Sequence, residues 1–95
     1  MRRYRVVVLK TANTELDNII SYISTKYANP MDAAKKEKRI WDKILSLESM
    51  PKRNRVKEDL YCARVGQYRI YYEIRNEDVV ITAIRHRLQN STDIY

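Results

Sequence analysis

The feature that most limits the fold is a change of hydrophobic period partway along the chain. Leu16, Ile19, Ile20, Ile23 and Tyr27 fall at i, i+3, i+4, i+7 and i+11, one face of an amphipathic helix from Thr14 to about Tyr27, with Asn13 or Thr14 standing where a cap would. Asn29-Pro30 supplies a cap and a first-turn proline for a second helix. Its apolar positions Ala33, Ala34, Ile40, Trp41, Ile44, Leu45 and Leu47 keep a helical period as far as Met50, and Pro51 stops it. After the basic connection Lys52-Arg53-Asn54-Arg55-Val56-Lys57 the sequence turns strand-like. Leu60 to Arg64, Tyr68 to Arg75 and Val79 to Ile84 are separated by turns at Val65-Gly66-Gln67 and Asn76-Glu77-Asp78. Tyr4 to Leu9, apolar and β-branched between basic residues, predicts an opening strand, central in its sheet or half-buried. So short a link between the helices predicts an αα-hairpin with both apolar faces turned onto the sheet. The expected class is α+β: an N-terminal strand, a helical hairpin, then a three-stranded antiparallel meander, with the helices on one face.

Length and charge narrow what such a fold can do. A chain of 95 residues has room for one core, so residues 1–95 are expected to form one domain. Nineteen Lys+Arg against 12 Asp+Glu leave a net charge of +7, which favours acidic partners without choosing among them. The lone cysteine, Cys62, excludes an internal disulfide and a multi-cysteine zinc site, and in a strand it reads as a buried structural thiol. Gly66 is the only glycine, so Gly-rich phosphate loops are absent and nucleotide-driven chemistry is not expected. No cofactor and no metal are expected. No apolar run approaches the roughly 20 residues that span a bilayer, and the apolar segment after Met1-Arg2-Arg3 is too short for a signal peptide. The expected location is the cytoplasm, with no membrane partner.

Alternation along Tyr68–Arg75 sets Tyr68, Ile70 and Tyr72 on one face and Arg69, Tyr71 and Glu73 on the other. The first face packs on the helices. The second offers a guanidinium, a phenol and a carboxylate, a surface suited to phosphate contact and base stacking. Arg64, just before the turn, extends the cationic surface or is an ordinary solvated arginine. Lys52, Arg53, Arg55 and Lys57 offer further cations to a nucleic acid, although a charge run in a loop is usually a solvated face. His86 is the only histidine, a side-chain type that ordinarily titrates near neutrality; acid–base and structural roles stay equally open.

The element order, the phrase Ile40-Trp41-Asp42-Lys43-Ile44-Leu45-Ser46-Leu47 running into Met50-Pro51, the phrase Arg64-Val65-Gly66-Gln67-Tyr68-Arg69-Ile70-Tyr71-Tyr72, and Ala83-Ile84-Arg85-His86-Arg87 together resemble the RelE/ParE toxins of bacterial toxin–antitoxin pairs. The likeness covers nearly the whole chain. It implies a toxin neutralised by a cognate antitoxin whose amphipathic helix or strand covers the basic patch, with operator DNA reached only through that antitoxin. RelE-like members cut messenger RNA in the ribosomal A site without a metal. ParE-like members poison DNA gyrase and need no nuclease centre, so the shared fold does not decide the target.

On the RelE-like pattern, Arg69 matches the arginine of the Tyr-Arg phrase that contacts the scissile phosphate, and Arg87 matches the transition-state cation. His86 has a counterpart in YoeB-like nucleases and in ParE-like toxins. Tyr95 resembles the tyrosine that the nucleases carry near the C-terminus, at a longer spacing from Arg87. Two departures point the other way. Leu60 and Cys62 stand where RelE-like nucleases have alternating lysines, and the long helical hairpin ending in proline is more ParE-like. Glu58 is a candidate YoeB-like base with no secure match. The expectation is a ribosome-dependent mRNA endonuclease using Arg69, Arg64, Arg87 and His86. Contact inhibition of DNA gyrase is the alternative, and a non-toxic antitoxin-binding co-repressor the third class.

Overall fold

The computed structural model describes residues 3–26 and 29–86. Its elements run in the order β1 (Arg5–Val8), α1 (Lys10–Lys26), α2 (Pro30–Ser46), a short 3-10 turn (Pro51–Asn54), β2 (Arg55–Lys57), β3 (Leu60–Val65), β4 (Tyr68–Arg75) and β5 (Asp78–His86). None of the described helices is long and apolar enough to cross a membrane.

The second helix starts as its sequence predicts. Asn29 has extended backbone and accepts the Met31 amide hydrogen at 2.9 Å, and Pro30 holds the first turn, where it costs no hydrogen bond. The first helix begins earlier than expected, at Lys10, so Asn13 and Thr14 lie inside it instead of capping it. That extra turn carries one apolar residue, Ala12, which is fully buried and packs on the sheet. The expected end at Tyr27 lies outside the described residues. The second helix closes at Ser46, short of Met50, because the Leu47 amide bonds back to Ile44 in a tight turn. Leu47 is buried, and Met50 takes a left-handed conformation that turns the chain into Pro51.

The sheet has five strands among the described residues, in the order β1-β5-β4-β3-β2. The expected meander is present: β3 pairs antiparallel with β4, and β4 with β5. Two features differ from the expectation. The basic connection contributes a strand, Arg55–Lys57, and the opening strand is an edge strand, not a central one. It is half-buried and pairs in parallel with β5, Val8 opposite Ile81, and the Leu9 amide makes the last bond to the Ile81 carbonyl.

Helices α1 and α2 cover one face. Leu16 and Ile23, with Ile40 and Ile44, pack against Ala63, Ile70, Tyr72, Val79, Ile81 and Ile84. Each such aliphatic side chain removed from water contributes about 1.5–3 kcal/mol. A bulge breaks the β4–β5 ladder: Tyr71 faces Ala83 while Tyr72 faces Ile81, leaving Thr82 as the extra residue. The Thr82 hydroxyl bonds the Tyr71 carbonyl at 3.3 Å. The bulge reverses the parity of β5, so Ile81 and Ile84 both reach the core and Ala83 and Arg85 turn to the opposite face.

Candidate functional site

The antiparallel registers bring three arginines into one line. Arg64 lies opposite Arg69 across β3 and β4, and Arg69 lies opposite Arg85 across β4 and β5. Directly paired residues share a face, so the three side chains leave the sheet on the side away from the helix-covered core, in a row about 10 Å across. Like charges placed opposite one another destabilise a sheet, so an anion laid along the row would offset a cost that the fold carries alone. Arg64 is exposed and Arg69 half-buried, and neither has a carboxylate partner among the described residues.

Arg85 is held differently. Its Nε approaches Glu15 Oε2 to 2.7 Å, an ion pair lying off the N–H direction, so the buried Nε makes no aligned hydrogen bond. The other Glu15 oxygen accepts the Ile84 amide at 3.1 Å. That amide lies on the side of β5 that β1 no longer reaches beyond Ile81, so α1 supplies the acceptor that a strand would have given. Below the row, Cys62 and Tyr71 are cross-strand partners. Burial pushes the Cys62 thiol up from its ordinary value, while Arg69 and, less strongly, Arg64 pull it down.

The other expected site residues are scattered. Tyr71 is on the expected face but only 2 % exposed, so its ring is not available to stack on a base, contrary to expectation. Glu73 is bound to Arg75 at 2.9 Å. His86 pairs with Tyr68 edge-on, ring centroids 5.3 Å apart, and its Nε2 is 2.9 Å from Gln67 Oε1. Since Tyr68 and Arg69 are neighbours on one strand, His86 stands on the helix side, opposite the arginine row. Lys52 and Arg53 are exposed in the 3-10 turn, and Arg55 and Lys57 in the edge strand β2. Glu58 is exposed in the tight β2–β3 turn with a positive φ of 24°. Arg87 and Tyr95 lie outside the described residues. Sequence reasoning missed Arg85 and Glu15 as members of the site: the bulge at Thr82 decides which way Arg85 points, and Glu15 reads as one more polar residue beside a helical stripe.

No curated protein sequence matches the chain. Solved structures share its fold. The chromosomal ParDE toxin–antitoxin system from P. aeruginosa aligns with a TM-score of 0.74 at 13% identity, over 90% of this chain and 98% of that one. The RelBE2 toxin–antitoxin complex from Mycobacterium tuberculosis aligns at 26% identity and a TM-score of 0.59, over 90% and 99%. The archaeal RelE–RelB complex from Pyrococcus horikoshii OT3 aligns at 22% and 0.62, over 95% and 100%. The profile of the family described as the ParE toxin of type II toxin–antitoxin systems, parDE, matches residues 6–91, and the chain belongs to that family of toxins within the RelE/ParE superfamily.

Proposed function

We propose that this toxin inhibits DNA gyrase by contact, with the arginine row as part of the contact surface, and does not cut RNA. One observation carries the reading: Arg69 and His86 point to opposite faces of the sheet. Attack by a 2′-hydroxyl on the adjacent phosphate needs a base and an acid within roughly 3 Å of the groups they serve. On the arginine face, Glu73 is engaged by Arg75 and burial pushes the Cys62 thiol up; Glu15, at the sheet edge on α1, is engaged by Arg85 and Ile84. Guanidinium groups without a free proton acceptor among the described residues suit gripping phosphate or carboxylate more than breaking a bond. Membership of the ParE family supports the same reading, because gyrase is the target that the resemblance assigns to ParE-like members. The partner on this reading is a cognate antitoxin, whose acidic segment would match the net charge of +7.

The alignment of the arginines also supports a second reading, the ribosome-dependent mRNA endonuclease. A supercoiling assay with purified gyrase, beside primer extension on a message under translation, separates the two. The expected result is inhibited supercoiling, relieved in Arg64→Ala/Arg69→Ala, with the message intact. Ribosome-dependent cuts that vanish in Arg69→Ala would replace gyrase inhibition with nuclease action.

A further inference from the structure

The described sheet ends on two edge strands of opposite character. β2 is exposed at every residue, carries Arg55 and Lys57 and shifts in register, the devices by which an edge refuses a further strand. β1 is built otherwise. It reads Arg5-Val6-Val7-Val8 in unbroken register, and its one charge is engaged within the chain, where Arg5 bonds both oxygens of Asp78 at 3.0 and 3.1 Å. The Arg5 and Leu9 amides turn to β5, so the even-numbered residues between them turn their backbone groups away from it. On that outer side the Glu48 carbonyl takes the Tyr4 amide at 2.9 Å. The N–H and C=O groups of Val6 and Val8 have no partner among the described residues. Leu9, at the end of this apolar edge, is 37% exposed.

These groups complement themselves. Opposed residues in an antiparallel ladder exchange both backbone bonds, so Val6 of one copy can meet Val8 of another about a two-fold axis at Val7, leaving no outward group of either residue unpaired. An axis at Val6 would oppose Val8 to Tyr4, whose amide is already bonded, and an axis at Val8 would oppose Val6 to Lys10, which is helical. The charges agree with the Val7 register. Arg5 falls opposite Leu9, so no like charges face each other, and exposed Lys10, which has no ion pair among the described residues, comes to the Glu48 loop beside Tyr4. The net charge of +7 opposes self-association, but here Arg3 is paired with Glu48 and Arg5 with Asp78. We infer that β1 pairs with β1 of a second copy of this chain, joining two molecules into one continuous sheet. Pairing edge to edge keeps like faces together, so both arginine rows look to the same side. The inference concerns assembly and does not rest on the choice of target.

Sedimentation equilibrium of the full chain, at concentrations reaching about 1 mM, tests this, because so small an interface associates weakly. The wild type should pass from one chain mass to two. Val6→Pro removes an outward donor and leaves the bonds to β5 in place, so it should weaken the dimer at least about tenfold and keep the folded circular dichroism spectrum. Should that variant fail to fold, Lys10→Glu reads the same edge from an exposed position: it should weaken the dimer by repulsion from Glu48, and Lys10→Glu/Glu48→Lys should recover association. Oxidation with diamide in a Cys62→Ala background reads the register. Val7→Cys, at the axis, should form a disulfide-linked dimer, and Leu9→Cys, which faces Arg5 of the second copy, should not. A chain that stays monomeric throughout, a dimer indifferent to both edge variants, or equal trapping of the two cysteines overturns the inference. An acidic extended peptide that binds a monomeric chain and is lost in Val6→Pro overturns it in favour of a foreign strand.

Discussion

Glu15 and Arg85 form an ion pair of 2.7 Å in which both side chains are less than a third exposed. The same carboxylate accepts the Ile84 amide, so one side chain joins α1 to the uncovered part of the last strand. Glu15→Gln keeps an acceptor for that amide and loses the charge pair, a cost of about 1 kcal/mol. Glu15→Ala also strands a partly buried amide and should cost about 2–3 kcal/mol. Urea unfolding of the two variants measures both, and equal losses would rule out a separate contribution from the amide bond.

Tyr72 predicts a pH dependence. Its buried hydroxyl donates to the Pro51 carbonyl and accepts from Asn54 Nδ2 at 3.0 Å, so it ties the 3-10 turn to the sheet. Burial pushes the phenol above its ordinary value, against a smaller downward pull from the Asn54 hydrogen bond. The folded state therefore holds this proton more tightly than the unfolded chain. The contribution is complete below the ordinary phenol value of about 10 and is lost as pH rises from there through the folded value. Tyr72→Phe should cost about 1–2 kcal/mol at neutral pH and flatten the alkaline decline of stability. Thermal melts from neutral to strongly alkaline pH would expose an unchanged slope, the result that contradicts this assignment.

Cys62 reports on the arginine row. With its thiol pushed up by burial and pulled down by Arg69 before Arg64, it should alkylate more slowly than free cysteine at mildly alkaline pH. Arg69→Met, which keeps the bulk and removes the charge, should move the pH–rate profile of iodoacetamide reaction to higher pH. Arg64→Met should move it less. A profile that shifts to lower pH in Arg69→Met would place the guanidinium away from the sulfur.

Gly66 turns the chain between β3 and β4 with a φ of +57°, and a Cβ built there meets no atom within 4 Å. The cost of Gly66→Ala is then conformational alone, about 1 kcal/mol, and asparagine should recover part of it. A much larger loss in denaturant midpoint would require a clash that the open space around the turn does not contain.

Much of this architecture is written in local spacing. The stripe through Leu16 and Ile23, the cap at Asn29 and the alternation of Tyr68 to Arg75 are each specified within a few residues, and each has its counterpart in the fold. What escaped depends on distant partners. Arg55-Val56-Lys57 reads as a charged loop because an edge strand exposed at every residue carries no apolar alternation. The neighbour of β1 is fixed by pairing across most of the chain, which no window can reveal. The candidate site divides in the same way: the face of Arg69 was legible from alternation along its strand, and its choice as a site residue came from the resemblance, whereas the placing of Arg85 beside it and of His86 opposite follows from the register and the bulge at Thr82.

The parallel pairing of β1 with β5 also governs when the molecule can exist. β1 waits for β5 during synthesis, since Arg5 finds Asp78 only after the intervening helices and hairpins have been made. Closing so long a loop delays completion of the sheet until β5 has been made. A nascent chain cut off before Asp78 lacks both the partner of β1 and the strand on which α1 rests. A fragment ending before Asp78 therefore lacks Arg85 and holds at most the Arg64–Arg69 pair of the row, and the three arginines come into line only once β5 has been made.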